Sequence, residues 1–540
     1  MRRVAVIGAG ASGLVSLKIC LEEGLEAVCY EKKHDIGGIW LFAESEEPRP
    51  DPKGPGAVYF GLHTNVSKEM MAYSDYAFDN TLPPFIRAPD LLAYYRGYAD
   101  HFKLRKHIRF NTEVVDVQPT KDFSETGRWL VTVRSESGAE TTETFDGVVV
   151  STGIYSNGWT PEIPGVEGFP GTIIHSCQFV KGEDFKNKRV LVVGGSISAA
   201  DLATVVSPYA SQVYLSMRRG AWLWPLTIRR RPWNYQLNRR WHELLPDSYR
   251  AKRMQSVLEE ATDHMALGLQ CPNPAALKLP MINAGLSDKI MNGDVRVRSG
   301  IQRVEGSTVI LNDGSAVEDI DVIIFATGYD VKYPFLRFDL IPGLSADVGP
   351  LTLFKHVVPI ELSPCTLQFT GMAVPDTMGQ NIMSEMQARL AVSVLKKQAR
   401  LPDMKSMKRE IDCVRESIVT AFGPRNCFVP DPPKYMDEIA GMIGTRPSLL
   451  KLLLTDPKLA YHYYIGWVYP PSYRLVGPGA TPKAREELLR LENDSYHSLT
   501  LSTVRPDAVT TLKSSQSSFY LKWLMFAALI AIVIAFVMKC

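Results

Sequence analysis

Apolar residues along this chain fall into short, solid runs followed by stretches of helical spacing. Val4-Ala5-Val6-Ile7 reads as a buried strand, Leu14 to Glu23 as a helix, and Ala27-Val28-Cys29-Tyr30 as a second strand. The pattern repeats at Val190-Leu191-Val192-Val193, the following helix, and Gln212-Val213-Tyr214-Leu215-Ser216. Further apolar runs, Val148-Val149-Val150 and Val322-Ile323-Ile324, precede Ser151-Thr152-Gly153 and Phe325-Ala326-Thr327-Gly328-Tyr329. These read as strands that rejoin each unit. The predicted fold is α/β, with two Rossmann-like dinucleotide-binding domains and a C-terminal membrane helix. The expected boundaries are 1–155 for the first part of one domain and 156–330 for the second domain, with a helical insertion around 225–290. Residues 331–445 return to the first domain, 446–518 form an extension and linker, and 519–538 form the membrane helix.

Each strand-to-helix junction carries a phosphate-type turn. The first is Gly8-Ala9-Gly10-Ala11-Ser12-Gly13. Gly8 allows the tight turn, Gly10 lets backbone approach a pyrophosphate, and Gly13 lets helix pack against strand, with the helix N-terminus facing the negative charge. Glu31 closes the second strand, where a carboxylate accepts hydrogen bonds from ribose hydroxyls but repels a 2′-phosphate. FAD or NAD fits there and NADP does not. Gly37-Gly38-Ile39-Trp40 resembles the segment that follows the ribose acid in flavoproteins, which favours FAD and adds Gly38 and Trp40 as contacts.

The second turn is Gly194-Gly195-Ser196-Ile197-Ser198-Ala199. Ser196 stands in the second glycine position, where its side chain intrudes but its hydroxyl can itself donate to phosphate. The strand that follows runs into Arg218-Arg219 instead of an acid. Arginine offers planar bidentate donors to a 2′-phosphate, so NADPH is expected. Thr327 and Gly328 are expected to close over the bound nucleotide.

Between the turns lies Phe169-Pro170-Gly171, followed by His175 and Phe179 in an FxGxxxHxxxF pattern. Gly171 permits a bend, and the phenylalanines suit core packing. His175 is either a switch near neutral pH or a hydrogen-bonded linker between domains. These features together resemble the flavin-containing monooxygenase family of the animal microsomal type. The segments Asn65 to Met71 with Ser74-Asp75, Thr455 to Ala460, and Tyr473 to Gly479 are similar to further family blocks, and the resemblance runs along the whole chain.

The resemblance implies that NADPH reduces FAD, that reduced flavin and oxygen form a C4a-hydroperoxide, and that retained NADP⁺ shields it until a soft nucleophile attacks. Thr64 and Asn65 are expected beside the cofactors, with the Asn65 amide as the catalytic group. Asn65-Val66-Ser67 also fits an N-glycosylation acceptor. By the same resemblance His175 lies where the two dinucleotide domains meet. Implied partners are molecular oxygen, small lipophilic N- or S-nucleophiles of xenobiotic metabolism, and membrane lipid. Ile197 departs from the asparagine usual at its place, and Ala373 to Gly379 runs one residue longer than the family segment. Both bear on how the nucleotides are held. Alternatives are Baeyer–Villiger oxygenation of ketones, against which Phe179 stands in place of tryptophan, and an uncoupled NADPH oxidase releasing peroxide.

Composition adds bounds. The chain has 540 residues and a net charge of +2, which argues against nucleic-acid binding. Eight cysteines without paired spacing suggest reduced thiols, no metal site and no disulfide-reductase chemistry. No signal peptide fits ahead of Val4. Trp523 to Met538 is an uncharged apolar run between Lys522 and Lys539, after the polar linker Ser502 to Ser518. It reads as an anchor, which the resemblance places in the endoplasmic reticulum with the bulk of the chain facing the cytosol. Arg229-Arg230-Arg231 with Trp233, Tyr235, Arg239, Arg240 and Trp241 suits either anionic lipid headgroups or a solvated insertion. A homo-oligomer is compatible with all of this and is not required by it.

Overall fold

In the computed structural model the chain builds two five-stranded parallel sheets of the same layout. The structure describes residues 2–494, apart from positions 46, 48, 50, 57, 229–230, 276–279, 342–343, 345–351, 376, 424, 426–427 and 430. The first sheet orders Leu367–Phe369, Gly147–Val150, Arg3–Ile7, Glu26–Tyr30 and Ile108–Arg109. The second orders Thr172–His175, Val322–Phe325, Arg189–Val193, Gln212–Ser216 and Val295–Arg298. Registers correspond as well: Val4 faces Ala27 and Ile7 faces Tyr30, while Val190 faces Val213 and Val193 faces Ser216. Each sheet also carries an antiparallel three-stranded meander, at residues 112–145 between the third and fourth strands of the first in chain order, and at 301–317 between the fourth and fifth of the second.

The central strands are Val- and Ile-rich and covered on both faces, as parallel strands require. Val4, Ala5, Val6, Val148, Val149, Leu191 and Ile323 are all buried. The edge strand of each sheet comes from outside its continuous unit. Leu367–Phe369 reaches the first sheet after the chain has completed the second, and Thr172–His175 enters the second before its first turn. The chain therefore crosses twice between the sheets.

The helix Gln380–Leu395 is buried along almost its whole length and packs against the helix Ala11–Glu22. Its buried Glu385 is satisfied by an ionic network. Glu385 accepts from the Ser74 backbone at 2.7 Å and pairs with Arg474 at 2.9 Å. Arg474 also pairs with Asp75 at 2.8 Å, and Asp75 with Lys18. Burial alone would raise the Glu385 carboxyl, but Arg474, Arg389 and Lys18 outweigh it and hold the acid below its usual value. Four separate stretches of chain are tied by this one cluster. Removing one member of a buried pair typically costs about 3–5 kcal/mol. Glu385→Ala is accordingly expected to lower the thermal midpoint sharply, and a midpoint unchanged in a calorimetric scan would contradict the assignment.

From Arg231 onward the basic, aromatic segment packs largely into the protein. Trp233, Asn234, Tyr235, Asn238 and Arg240 are buried. Arg240 pairs with buried Asp437 at 2.8 Å and lies 3.7 Å from the Tyr463 ring centroid. Arg231 and Arg239 cover the Trp467 ring. Charge that would draw lipid is spent on interior partners from residues 437–473. Arg229 and Arg230 lie outside the described residues. Among the described residues no helix is long and apolar enough to cross a membrane, and the expected anchor at 519–538 lies outside them.

Candidate functional site

The two turns occupy equivalent positions at the ends of the central strands. At the first, Gly8 has φ +98° and packs against the Ser151 carbonyl, where an added Cβ would come within 2.9 Å. A Cβ on Gly13 would stand 1.7 Å from the Gly8 oxygen. Gly10 is the residue before the helix Ala11–Glu22, with φ −75°, and its Cβ would meet only the Gly38 backbone at 3.5 Å. Gly8 and Gly13 are thus small for the protein's own packing, whereas Gly10 leaves open a space in front of the helix N-terminus. A pyrophosphate fits such a space, since the helix supplies free N–H groups there.

Glu31 is buried, and its carboxylate accepts from Ala9 N at 2.7 Å and Lys33 N at 3.0 Å. It therefore braces the turn. Gly37 and Gly38, with φ +117° and +59°, fold back onto Gly10, and Gly37 N bonds Ala9 O. Trp40 packs half-buried with Phe42 and Leu62 over Val58 and Ala88. Ser12 turns its hydroxyl inward to Ser384 at 2.9 Å, which leaves its backbone N–H as its contribution to a phosphate.

At the second turn an added Cβ on Gly194 would lie 2.5 Å from the Ala326 oxygen, repeating the contact of Gly8 with Ser151. Ser196 precedes the helix Ile197–Val206 as Gly10 precedes its own, and its hydroxyl makes no capping bond. That hydroxyl is available to a phosphate. Ser198 is exposed in the first turn of this helix. Ala199, in the place of Gly13, is fully buried and packs its methyl against the turn. Arg218 and Arg219 are exposed just beyond the strand Gln212–Ser216. Neither is held by an ion pair among the described residues. Thr327 donates its hydroxyl to the Trp159 carbonyl at 2.5 Å, and the Gly328 carbonyl accepts from Trp159 N at 3.0 Å. These two residues fasten the chain crossing between the sheets, with the Ala326 backbone against the turn.

His175 is buried at the end of the strand Thr172–His175. Its Nδ1 accepts from Cys177 N at 3.3 Å, which leaves Nε2 to donate to Gly328 O at 3.0 Å. Burial lowers its pKa, so the ring is neutral at physiological pH and is committed on both sides. Of the two roles open to it, linker is the one this geometry fits. Phe179 stacks on Phe185 and meets Tyr59 edge-on.

Thr64 is buried, with its hydroxyl accepting from Ile86 N at 3.0 Å and donating to Val66 O at 3.2 Å. Asn65 is half-buried beside it. Its carbonyl accepts from the Trp233 indole at 2.7 Å, while its side-chain amide has no hydrogen bond to the described residues. Val66 and Ser67 are buried, which disfavours a glycan at this tripeptide.

The sequence alone did not disclose several groups. Trp233 seats Asn65, but its segment reads locally as surface. Lys33 donates to Gly38 O at 3.0 Å and sits 4.2 Å from the Phe42 ring centroid, and burial lowers its amine to about 8. Asn381, in the first turn of the helix Gln380–Leu395, is buried with its Nδ2 unbonded among the described residues. The Ser12–Ser384 contact sets this helix against the first turn. An open cradle, an unpaired buried amide and a ribose-side acid suit a flavin dinucleotide at the first turn. A free serine hydroxyl and two unpaired arginines suit a 2′-phosphorylated dinucleotide at the second.

Known proteins agree with this geometry. Residues 1–539 match the profile of the family described as flavin-binding monooxygenase-like. The chain is 37% identical over 525 residues to flavin-containing monooxygenase 5 of Rattus norvegicus, covering 94% of this chain and 95% of that one. It is 35% identical over 549 residues to N-oxide-forming dimethylaniline monooxygenase 2 of the same species, covering 100% and 99%. Among solved structures it shares the fold of S-allyl-L-cysteine S-oxygenase from Allium sativum, with TM-score 0.62 and 24% identity over 91% of this chain and 99% of that one. NADP⁺-bound cyclohexanone monooxygenase from Rhodococcus sp. Phi1 aligns with TM-score 0.56 and 18% identity over 82% and 97%. With a likeness that spans its length, this chain belongs to the flavin-binding monooxygenase-like family and is an oxidoreductase, a flavin-dependent monooxygenase whose twin cradles suit FAD and NADPH.

Proposed function

We propose that the enzyme oxygenates nucleophilic nitrogen or sulfur in small lipophilic molecules, by the oxygen-activating route that its family resemblance implies. The observation that carries this is Asn65, whose side-chain amide is unbonded while Trp233 fixes its backbone from behind. Flavin reduced by NADPH supplies the activated oxygen when both are bound, and the protein's task is to position and to exclude water. Asn65 offers a hydrogen bond at the reacting face. Ser196, Arg218 and Arg219 hold the nicotinamide dinucleotide in place. The committed, neutral His175 is not asked to move a proton.

The lipophilic class is motivated by the apolar wall of a cavity of about 120 Å³ beside Trp224, whose lining also includes Arg239, Glu243, Arg250 and Asp431. Trp224, Ile228, Leu237, Met254, Val257 and Leu258 contribute its apolar wall. Trp224 meets Trp233 edge-on at 5.1 Å, one indole away from Asn65. Ketone oxygenation is the competing outcome on the same scaffold. Paired assays with an aliphatic thioether and an aliphatic ketone, each scored as product formed per NADPH consumed, distinguish them. Sulfoxide in near-stoichiometric yield supports the proposal. Ester as the main product, or peroxide without product, contradicts it. Asn65→Ala is expected to retain flavin while shifting consumed NADPH from product to hydrogen peroxide, by about 10- to 100-fold in the product-to-peroxide ratio. Unchanged coupling would remove Asn65 from this role.

The proposal extends to location. The uncharged run Trp523–Met538 supports attachment to the endoplasmic reticulum membrane with the catalytic domains in the cytosol. Full-length protein is expected to float with membranes after alkaline extraction, and a chain ending at Ser518 to be released.

A further inference from the structure

The two sheets share a corner beside the residue that ends the second strand of each dinucleotide unit. In the first, Glu31 N bonds Arg109 O at 3.0 Å, and the chain turns from that edge strand into its meander at Phe110 and Asn111. In the second, Met217 N bonds Arg298 O at 3.0 Å, and the chain turns into its meander at Ser299 and Gly300. Ser216 fastens this second corner, its hydroxyl donating to Ser299 O at 2.8 Å. The corner therefore borders Met217 and the arginines after it, as its counterpart borders Glu31.

Gly300 is buried there, and its backbone is not left-handed, so conformation alone does not demand glycine. Space does. A Cβ on Gly300 would stand 2.8 Å from Arg218 Cγ and 2.8 Å from Asn312 Nδ2, with Arg218 Cα at 3.5 Å. The missing side chain is thus a seat for the aliphatic stem of Arg218, and the Asn312 amide adjoins the same small space. Asn312 follows the strand Thr308–Leu311 and is held by its backbone, with N bonded to Gly300 O at 2.8 Å. Its exposed side chain makes no hydrogen bond to the described residues. The neighbouring acid, Asp313, is turned back on its own hairpin, with Oδ1 accepting from Ser315 N at 3.0 Å and from the Ser315 hydroxyl at 2.6 Å. An arginine seated on backbone, with an unbonded carboxamide against its stem, is an arrangement that suits an oxyanion.

We propose that Asn312 is a further specificity-determining residue, donating with Arg218 to the 2′-phosphate of NADPH, and that Gly300 is the positioning residue that seats Arg218 for it. The proposal rests on reading the second turn as the NADPH site, and extends that site from the strand end to the meander. A lone exposed arginine must give up much side-chain freedom to hold a phosphate. A seat for its stem and a second donor on a separate stretch of chain reduce that cost and fix where the oxyanion lies.

Titration calorimetry of NADP⁺ and NAD⁺ into the oxidised, FAD-loaded protein tests this without turnover, because the two probes differ only in the 2′-phosphate. The unaltered protein is expected to prefer NADP⁺, and Arg218→Ala to lose most of that preference. Asn312→Ala should weaken NADP⁺ binding about tenfold, the scale of one hydrogen bond to a charged group, and leave NAD⁺ binding unchanged. Gly300→Ala, which displaces the Arg218 stem, should likewise weaken NADP⁺ alone, and should cost nothing further when Arg218 is already alanine. A preference that survives Asn312→Ala and Gly300→Ala while Arg218→Ala abolishes it overturns the proposal and leaves the NADPH reading standing. Equal losses for both probes overturn it as well, since they place these residues on the shared part of the dinucleotide. No preference in the unaltered protein overturns the NADPH reading and the proposal with it.

Discussion

Gly13→Ala is expected to prevent assembly of the first domain, and Gly10→Ala to empty it of flavin while leaving it folded. The two glycines are three residues apart in one turn, yet they are small for different reasons. A Cβ at Gly13 would overlap the Gly8 carbonyl at 1.7 Å, a backbone group that cannot swing aside as a side chain can. Helix and strand would have to separate, at or above the roughly 1–3 kcal/mol typical of an overpacked core. A Cβ at Gly10 would meet protein only at 3.5 Å, an ordinary contact, on a backbone conformation that alanine adopts freely. What it would obstruct is the approach of a pyrophosphate. Flavin content per chain and the thermal midpoint, measured together, separate these effects. Gly10→Ala should weaken flavin binding by at least about tenfold with little change in the flavin-free midpoint. A Gly10→Ala protein that purifies fully yellow would show that the nucleotide does not approach there.

Replacing both Arg218 and Arg219 by alanine is expected to lower kcat/KM for NADPH by roughly 100-fold and to leave that for NADH nearly unchanged. Both side chains are exposed, and neither is held by an ion pair among the described residues, so the fold does not depend on them. Their position, one and two residues past Met217, is that of Lys32 and Lys33 after Glu31 in the first unit. There the acid at the strand end suits a bare ribose; here its counterpart is Met217, followed by two cations. The loss should shrink at high ionic strength, since exposed charges are screened. Equal losses with NADPH and NADH would move the 2′-phosphate elsewhere.

Much of the architecture was legible because its signals are local. Val4 to Ile7 and Val190 to Val193 are solid β-branched runs, and strands covered on both faces leave that mark whatever else surrounds them. The glycines of the first turn are equally local, since each answers to backbone within the same turn or to the adjoining strand end. What escaped was set by partners far along the chain. Thr172–His175 reads as part of a motif, and is an edge strand because Val322–Phe325, some 150 residues later, lies beside it. The segment around Arg240 reads as surface because arginine usually is, yet Asp437 makes its burial tolerable. Trp233 was silent for the same reason: it matters through one bond to a residue on another domain. Of the site residues, Glu31 and Gly38 lie against the first turn. Ser12, Thr64 and Thr327 instead commit their hydroxyls to protein partners.

The second nucleotide and Asn65 are together assigned the protection of the oxygenating state of the flavin. Stopped-flow mixing of NADPH-reduced enzyme with oxygenated buffer, followed across the flavin spectrum without substrate, tests it most directly. The expected result is an absorbance distinct from both oxidised and reduced flavin that persists for many seconds and collapses on adding a thioether. Direct return to the oxidised spectrum, with peroxide released in proportion to NADPH consumed, would contradict it.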